Sequence, residues 1–196
     1  MSEKESYTKK KIMKVVLAMF RGKGDYKFTT REIAKKAKVN IAAINYHFGS
    51  KSHLIYQAER YFSSELHKTL QESKREDRST DKQLMAYCMS FTRYVLANPG
   101  IEKSVAIRMI SENTRPERIK LLKNNVSLVK SIIRGAGNDE NEQILDFKSA
   151  IFLSSLIYPL LISHYVPELM GTDYPDTKIV KKYYCTLISA VLSSVK

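Results

Sequence analysis

The feature that most constrains the fold is the stretch FTTREIAKKAKVNIAAINYHFGSKSHL, residues 28–54. Its apolar residues have the spacing of two very short helices, with a tight break at residues 38–40. An isolated helix shorter than about 12–15 residues is marginal in water, so the second one cannot be stable by itself. It must pack on neighbouring helices, which leaves its polar residues Asn45, Tyr46 and His47 for some other contact.

The rest of the chain also has helical periodicity, and no segment alternates with period two over a useful length. We therefore predict an all-α chain of about nine helices, over residues 8–21, 29–37, 40–47, 50–73, 80–96, 99–113, 116–134, 139–165 and 175–195. The residues expected to face inward include Ile12, Val16, Phe20, Ile33, Ala34, Ala37, Ile44, Leu54, Tyr61, Phe62, Leu96, Ile119, Leu122 and Val129.

Local signals mark several helix ends. Thr29-x-x-Glu32 has the pattern of a capping box, and Asn40 is a good N-cap for the next helix. Thr80 is predicted to cap the fifth helix, while Pro159 should kink or split the eighth.

The charge of the chain is strongly uneven. The net charge is +13, and residues 1–75 hold 17 Lys/Arg against 7 Asp/Glu, a net of +10. Residues 76–196 carry a net of only +3, from 16 Lys/Arg and 13 Asp/Glu. This excess indicates a polyanion partner for the N-terminal third. A cationic membrane-surface segment would give the same sum, but it requires a basic amphipathic helix with an exposed apolar face.

Other features narrow the class of protein. Cys88 and Cys185 lie in apolar helical patterns without C-x-x-C spacing, which favours buried, reduced thiols. The longest uncharged apolar stretch, residues 149–165, is shorter than the ~18 residues of a spanning helix. The N-terminus has no signal-peptide pattern, so we expect a cytoplasmic protein. If its polyanion partner is DNA, the protein is expected at the nucleoid.

Catalysis is not expected. The chain lacks the H-E-x-x-H, G-x-S-x-G, G-x-x-x-x-G-K-[ST] and G-x-G-x-x-G motifs. Its four histidines, at positions 47, 53, 67 and 164, do not have the spacing of a metal set. We expect no metal and no cofactor.

Two short helices joined by a short turn, with a longer helix on either side, form a helix-turn-helix unit, whose second helix enters the DNA major groove. The stretch TTREIAKKAKVNIAAINYHFGSKSHL resembles the TetR family of bacterial transcriptional regulators. Phe48, Ser50, Lys51 and Leu54 match the family's F-x-S-K-x-x-L frame, and the resemblance covers residues 8–65. It implies a DNA-binding domain at 1–50 (motif 29–48), a connecting helix at 51–73 and a regulatory and dimerisation domain at 74–196.

The sequence departs from the family pattern twice. Lys38 stands where the family usually has glycine, so it should adopt a left-handed backbone at a cost of about 1 kcal/mol. Asn45 stands where tyrosine is common, and an asparagine can contact adenine bidentately.

By resemblance, the DNA-binding residues are Thr29, Thr30, Arg31, Asn40, Ile41, Ala42, Ala43, Asn45, Tyr46, His47 and Lys51. The two threonines and Lys51 are expected on phosphates, and the apolar residues 41–43 near thymine methyls. Arg31 fits a guanine or a phosphate equally. His47 can reach the DNA backbone or pack internally. The lysines at 9–11 either enter the minor groove or remain a solvated basic end.

The resemblance also implies a homodimer, formed by the helices at 139–165 and 175–195, and hence a palindromic operator. It implies a pocket for an unknown small-molecule effector, for which the candidate lining residues are Tyr87, Phe91, Tyr94, Arg108, Met109, Phe152 and Leu156. Aromatic and methionine residues at helical spacing are more often plain core. For Arg93 and Arg108 an exposed or salt-bridged side chain is favoured over contact with an anionic ligand.

The prediction is a dimeric repressor released by a ligand. A ligand-independent architectural or division-linked DNA-binding protein of the same fold is the alternative, and a membrane-surface protein is a third hypothesis.

Overall fold

The computed structural model describes residues 3–21, 28–100, 116–136, 141–162, 166–171 and 176–193. Within these ranges the chain forms helices and turns without any β-strand, which confirms the all-α fold class. The helices described in these ranges are α1 Glu3–Arg21, α2 Thr30–Ala37, α3 Ile41–Phe48, α4 Lys51–Gln71, α5 Thr80–Leu96, α6 Pro116–Arg134, α7 Glu142–Leu161, α8 Val166–Met170 and α9 Thr177–Leu192. The predicted helix at 99–113 lies outside the described residues except for its first two.

The chain divides into two compact units. The first unit comprises residues 1–65 and 95–113, and the second comprises residues 66–94 and 114–196. Helices α4 and α5 therefore contribute residues to both units. The domain boundaries expected at residues 50 and 73 stay a prediction.

In the first unit, α1, α2 and α3 pack on one another. The expected stripe of α1 is buried at Ile12, Val16 and Phe20. The Phe20 ring contacts the Phe28 and Phe62 rings edge-on, with centroid distances of 5.1 and 6.2 Å. Such aromatic pairs add about 0.5–1.5 kcal/mol beyond their burial. They fix α1 against α4 and the residues that precede α2.

The turn between α2 and α3 depends on Lys38, whose φ of 50° and ψ of 51° place it in the left-handed region. This confirms the prediction made from its position. Its own amide bonds to the Lys35 carbonyl at 3.2 Å, and the Val39 amide bonds to the Ala34 carbonyl at 3.0 Å. These bonds satisfy carbonyls at the end of α2 and turn the chain toward α3.

In the second unit, ion pairs join α6 to α7. The Lys130 ammonium contacts the Asp146 and Glu142 carboxylates at 2.7 and 2.8 Å, and Arg134 also pairs with Glu142. Because Glu142 accepts a hydrogen bond from Lys130, the pKa of its carboxyl is lowered.

Two hydrogen bonds join α7 to α9. The buried Lys148 ammonium donates to the Ser193 carbonyl at 2.8 Å, just past the end of α9, where a cation complements the helix dipole. The Tyr183 hydroxyl donates to the Ser155 carbonyl at 2.7 Å. The buried Thr92 hydroxyl, on α5, bonds to the Tyr184 hydroxyl of α9.

Several predicted inward positions are exposed. Tyr61 is 44% exposed, because the buried stripe of α4 is centred near Ile55 and Phe62 and one residue turns the helix by about 100°. Ile119 and Leu122 are also exposed, and the first buried residue among the described side chains of α6 is Leu128.

Three further predictions are wrong. Leu96 is exposed near the end of α5, so that helix is not buried all round. Cys185 is exposed while Cys88 is buried, because position 185 lies beside the buried stripe of α9, about 100° around the helix from Tyr184. Thr80 is the first residue of α5, which moves the N-cap position to Ser79.

Helix α7 is apolar on more than one face. Within the described residues it is the one helix that is long and apolar enough to cross a membrane by length and composition. Of its most apolar 18-residue stretch, 39% is buried. A core helix of a soluble protein passes the same test, so this is weak evidence for a membrane span. Pro159 lies inside the last turn of α7, which ends two residues later.

Replacing Lys38 by glycine is expected to stabilise the protein, because glycine adopts the left-handed backbone without a Cβ clash. The net gain in the free energy of unfolding is about 0.5–1 kcal/mol, once glycine's larger backbone entropy is subtracted. Urea unfolding followed by circular dichroism measures it. The control is Lys36→Gly in α2, which should instead lose about 0.5–1 kcal/mol. A loss of stability in both variants would contradict the left-handed conformation of Lys38.

Candidate nucleic-acid interface

The N-terminus of α2 is held by a capping box, as its sequence predicts. The Thr29 hydroxyl accepts a hydrogen bond from the Glu32 amide at 3.1 Å, and the Thr29 amide donates to the Glu32 carboxylate. These bonds lower the pKa of Glu32, the backbone bond from Thr29 being the larger cause. The amides of Thr30 and Arg31 also lie in the first turn, where a helix offers no acceptor to its own N–H groups. They are placed to donate to an anion such as a phosphate.

The start of α3 is fixed by Asn40. Its side-chain oxygen accepts a hydrogen bond from the Ala43 amide at 2.7 Å, which makes Asn40 the N-cap that the sequence predicts. The cap uses the acceptor end of the amide group. Any contact of this side chain with DNA must therefore come from its NH₂ group, which suits a phosphate oxygen.

Helix α3 has one buried face and one exposed face. Ile44 is completely buried and Phe48 is 2% exposed. On the other side, Ala42, Asn45 and Tyr46 are exposed, with Tyr46 the most open at 72%. Residues 42, 45 and 46 share one face of a helix, so α3 presents a small residue, an amide and a phenol together. Ile41 lies at the edge of this face and is 40% exposed.

His47 and Ala43 lie on the flanks of that face and are half-buried. The His47 ring is edge-on to the Tyr46 ring at 5.1 Å and to the Phe48 ring at 6.4 Å. This position is compatible with both roles that the sequence left open for His47, since its side chain is partly buried and partly accessible.

Basic residues flank α3 on two helices. Arg31 and Lys35 are exposed and lie four residues apart, on the same face of α2. Lys51 is half-buried in the first turn of α4, where the Ser50 hydroxyl caps the helix by accepting from the His53 amide at 3.1 Å. Lys51 is thus held close to the end of α3 by the local chain.

The sequence did not show the role of Lys9. Its ammonium lies 5.7 Å from the centroid of the Phe48 ring, a cation–π distance, and the side chain is half-buried. Lys9 therefore links α1 to the end of α3 instead of belonging to a uniformly solvated end. No local pattern could reveal this contact, because it depends on how α1 crosses α3.

The candidate effector-pocket residues that the structure describes are buried or half-buried. Tyr87, Phe152 and Leu156 are completely buried, with the Tyr87 and Phe152 rings 5.7 Å apart. Burial raises the pKa of the Tyr87 hydroxyl. Within the described part of the chain, that hydroxyl and the Ser149 hydroxyl are buried without a hydrogen-bond partner. Phe91 and Tyr94 are half-buried, while Arg108 and Met109 lie outside the described residues.

An open pocket lies elsewhere in the second unit, between α5 and α9, and has a volume of about 500 Å³. It is lined by Asp81, Lys82, Met85, Ala86, Met89, Cys185, Ile188, Ser189 and Leu192. None of these was predicted from the sequence as a pocket residue. The spacing of Met85 and Met89 on one face of α5 was visible in the sequence, but only the packing of α9 reveals the opposite wall.

Among the described residues, no group of three His, Cys, Asp or Glu side chains could hold a metal ion.

Comparisons with known proteins agree with this geometry. Residues 12–58 match the family described as "Bacterial regulatory proteins, tetR family". No curated protein is significantly similar to the sequence.

Solved structures share the fold over nearly the whole chain. A transcriptional regulator from Rhodococcus sp. Rha1 has a TM-score of 0.73 at 19% identity, and covers 94% of this chain and 95% of its own. A tetR-family regulatory protein from Rhodococcus RHA1 has a TM-score of 0.69 at 17% identity, with full coverage of both chains. The regulator PfmR from Thermus thermophilus has a TM-score of 0.67 at 18% identity, and covers 91% of this chain and 97% of its own.

Asn40→Ala should lower the free energy of unfolding by about 1 kcal/mol, because the Ala43 amide loses its acceptor. Asn40→Ser should retain most of that stability, since serine is also a good N-cap. Urea unfolding of the two variants tests the cap, and the affinity for duplex DNA tests the NH₂ group. If serine preserves stability but not affinity, the NH₂ group contacts DNA. Equal stability of the alanine variant and the parent protein would rule out the cap.

Proposed function

We propose, from the match of residues 12–58 to the tetR family of bacterial regulatory proteins, that the chain is a dimeric, sequence-specific repressor of transcription. It binds a palindromic operator and is released by a small molecule. The observation that carries the proposal is the exposed face of α3, Ala42, Asn45 and Tyr46, on a helix whose other face is buried. A helix of this kind can enter the major groove without losing its own packing.

The charge distribution supports binding of DNA through α3. Residues 1–75 carry a net charge of +10, and Arg31, Lys35 and Lys51 flank α3 in the structure. Contacts from such residues to phosphates supply sequence-independent affinity and position the protein on the duplex. Sequence would then be read by the exposed residues of α3, with Asn45 suited to an adenine and Ile41 and Ala42 to thymine methyl groups.

The dimer is proposed from the exposed side of α7. Phe147, Ile151, Tyr158 and Leu161 are 48–59% exposed and follow one another at helical spacing along a single stripe. Exposed Thr186 and Ala190 lie on the side of α9 that is nearest to α7. A contiguous apolar stripe of this kind marks an interaction surface. A two-fold contact through it would bury the same stripe on both subunits and present two recognition helices to one duplex.

A membrane fits the same stripe less well. The first half of α7 carries Glu142, Asp146 and Lys148, and these side chains are committed to protein contacts at Lys130 and at the Ser193 carbonyl. Charged groups inside a bilayer are costly. We propose that the protein acts in the cytoplasm, without a metal, a cofactor or a catalytic site. Repression and ligand release follow from the family resemblance.

In vitro selection from random duplex DNA at physiological salt tests the whole proposal. A palindrome with half-sites about one helical turn apart, ~34–36 Å, is expected from a two-fold dimer. Binding without an enriched motif would instead favour the architectural protein. Failure to bind any duplex would exclude the DNA-binding function.

Substitutions at Arg31 and Lys51 separate base contacts from phosphate contacts. Arg31→Ala should cost about 1–3 kcal/mol on the selected operator and relax base choice at one position. Lys51→Ala should weaken binding to all sequences alike and reduce the slope of log K against log salt by about one unit. Fluorescence anisotropy at several salt concentrations measures both effects, with Lys74→Ala, an exposed lysine of the second unit, as the control. If Arg31→Ala loses as much affinity for random DNA as for the operator, Arg31 contacts a phosphate and not a base. If Lys51→Ala leaves the affinity for DNA unchanged, Lys51 is not part of the interface.

Ile151→Glu should dissociate the dimer, because it places a charge within the apolar stripe of α7. The monomer should still fold, because the Ile151 side chain is 55% exposed in it. Sedimentation-velocity centrifugation should show monomers at concentrations where the parent protein is dimeric. Leu122→Glu on α6, 42% exposed, is the matched control and should remain dimeric. If both variants remain dimeric, the dimer interface does not lie on the apolar stripe of α7.

A further inference from the structure

The open pocket between α5 and α9 has the chemistry of a small-molecule site. Its lining is mostly apolar and includes two small polar groups, the Cys185 thiol and the Ser189 hydroxyl. Asp81 and Lys82, in the first turn of α5, place charge at one end. Its volume of about 500 Å³ lies within the range of roughly 300–1,000 Å³ that is usual for ligand pockets.

The pocket does not coincide with the stripe proposed for the dimer. Tyr183 marks the side of α9 that contacts α7, through its bond to the Ser155 carbonyl. Cys185 and Ser189 follow by two and six residues, which is about 200° and 240° around the helix axis. The pocket therefore opens on a flank of α9 away from α7, and a dimer formed through α7 leaves it accessible.

The charged end selects the sign of a ligand's head group. The Asp81 carboxylate accepts a hydrogen bond from the Ser79 side chain, which is the main cause of its lowered pKa, and a backbone bond adds to it. This carboxylate stays charged, but it is held at the N-terminus of α5, where it offsets the positive end of the helix dipole. Lys82 is the other charged residue of the pocket lining, and its exposed ammonium is the group left to attract an anion.

We propose that this pocket binds an organic molecule with an apolar body and a single anionic head. The body lies on Met85, Met89, Ile188 and Leu192, and the head lies near Lys82. Methionine side chains are flexible and polarisable, so the two on α5 can adjust to ligands of different outline. That such a molecule also releases DNA rests on the function proposed above.

Two related dyes test the pocket on the full chain. Anilinonaphthalene-8-sulfonate carries an aromatic body and a sulfonate, and N-phenyl-1-naphthylamine is the same body without the charge. Both should bind with increased fluorescence on direct excitation. Ser189→Trp changes an exposed residue of the wall and should weaken both dyes by about tenfold or more, because the indole occupies their space. Ser127→Trp, at an exposed position of α6 that does not line the pocket, should leave both affinities unchanged.

The head-group assignment has its own variant. Lys82→Gln should weaken the sulfonate dye by about two- to fivefold, as expected for an exposed ion pair, and leave the neutral dye unaffected. Equal effects on the two dyes would overturn the anionic head. Equal losses in Ser189→Trp and Ser127→Trp would overturn the pocket itself.

Thiol labelling locates the bound dye without involving DNA. Cys185 is exposed and should react with 5,5′-dithiobis(2-nitrobenzoate), whereas Cys88 is buried and its thiol pKa is raised by burial. The sulfonate dye should slow the labelling of Cys185 several-fold, and absence of protection would overturn the proposal. Protection of Cys185 without release of operator DNA would support the pocket and refute ligand control. DNA release without protection would refute the pocket and leave ligand control intact.

Discussion

The burial of Ile44 and Phe48 is the constraint on which the candidate interface depends. Helix α3 has only eight residues and could not persist in water by itself. It packs on α1 and α2 with these two side chains buried, and the Lys9 ammonium over the Phe48 ring adds a contact from α1. Because the inner face supplies the stability, the outer face is not required to be apolar. That freedom lets a small residue, an amide and a phenol occupy positions 42, 45 and 46.

The orientation of α3 is determined by the ends of the short helices more than by their middles. The capping box at Thr29 fixes where α2 begins, Lys38 ends it with a left-handed turn, and Asn40 starts α3. Each device satisfies backbone groups that a helix end leaves without partners. The same devices leave first-turn amides of α2 pointing outward beside Arg31. The capping box uses the amides of Thr29 and Glu32, and the amides of Thr30 and Arg31 are left for an anion. Helix stability and anion binding therefore do not compete for the same atoms.

Local chemistry made helices α1 to α3 predictable from the sequence. The capping box, the Asn40 cap, the left-handed Lys38 and the inner faces of α1 to α3 all depend on residues close together in the chain, and the structure confirms them. The errors fall where burial depends on distant packing. The spacing at Ile119 and Leu122 correctly indicates a helix but cannot say which stretch is covered, and Cys185 lies near the buried stripe of α9 without belonging to it. The pocket between α5 and α9 was invisible for the same reason.

The apolar character of α7 illustrates how one pattern can have two physical causes. Phe152 and Leu156 on its inner side are completely buried within the second unit, whereas Phe147 and Ile151 on its outer side are more than half exposed. A helix that is apolar all round is stable only if both sides are covered. The inner side is covered by this chain. Lys148 and Asp146 hold that helix to α9 and α6 through committed charges, and the uncovered side is the surface through which we propose that two copies pair.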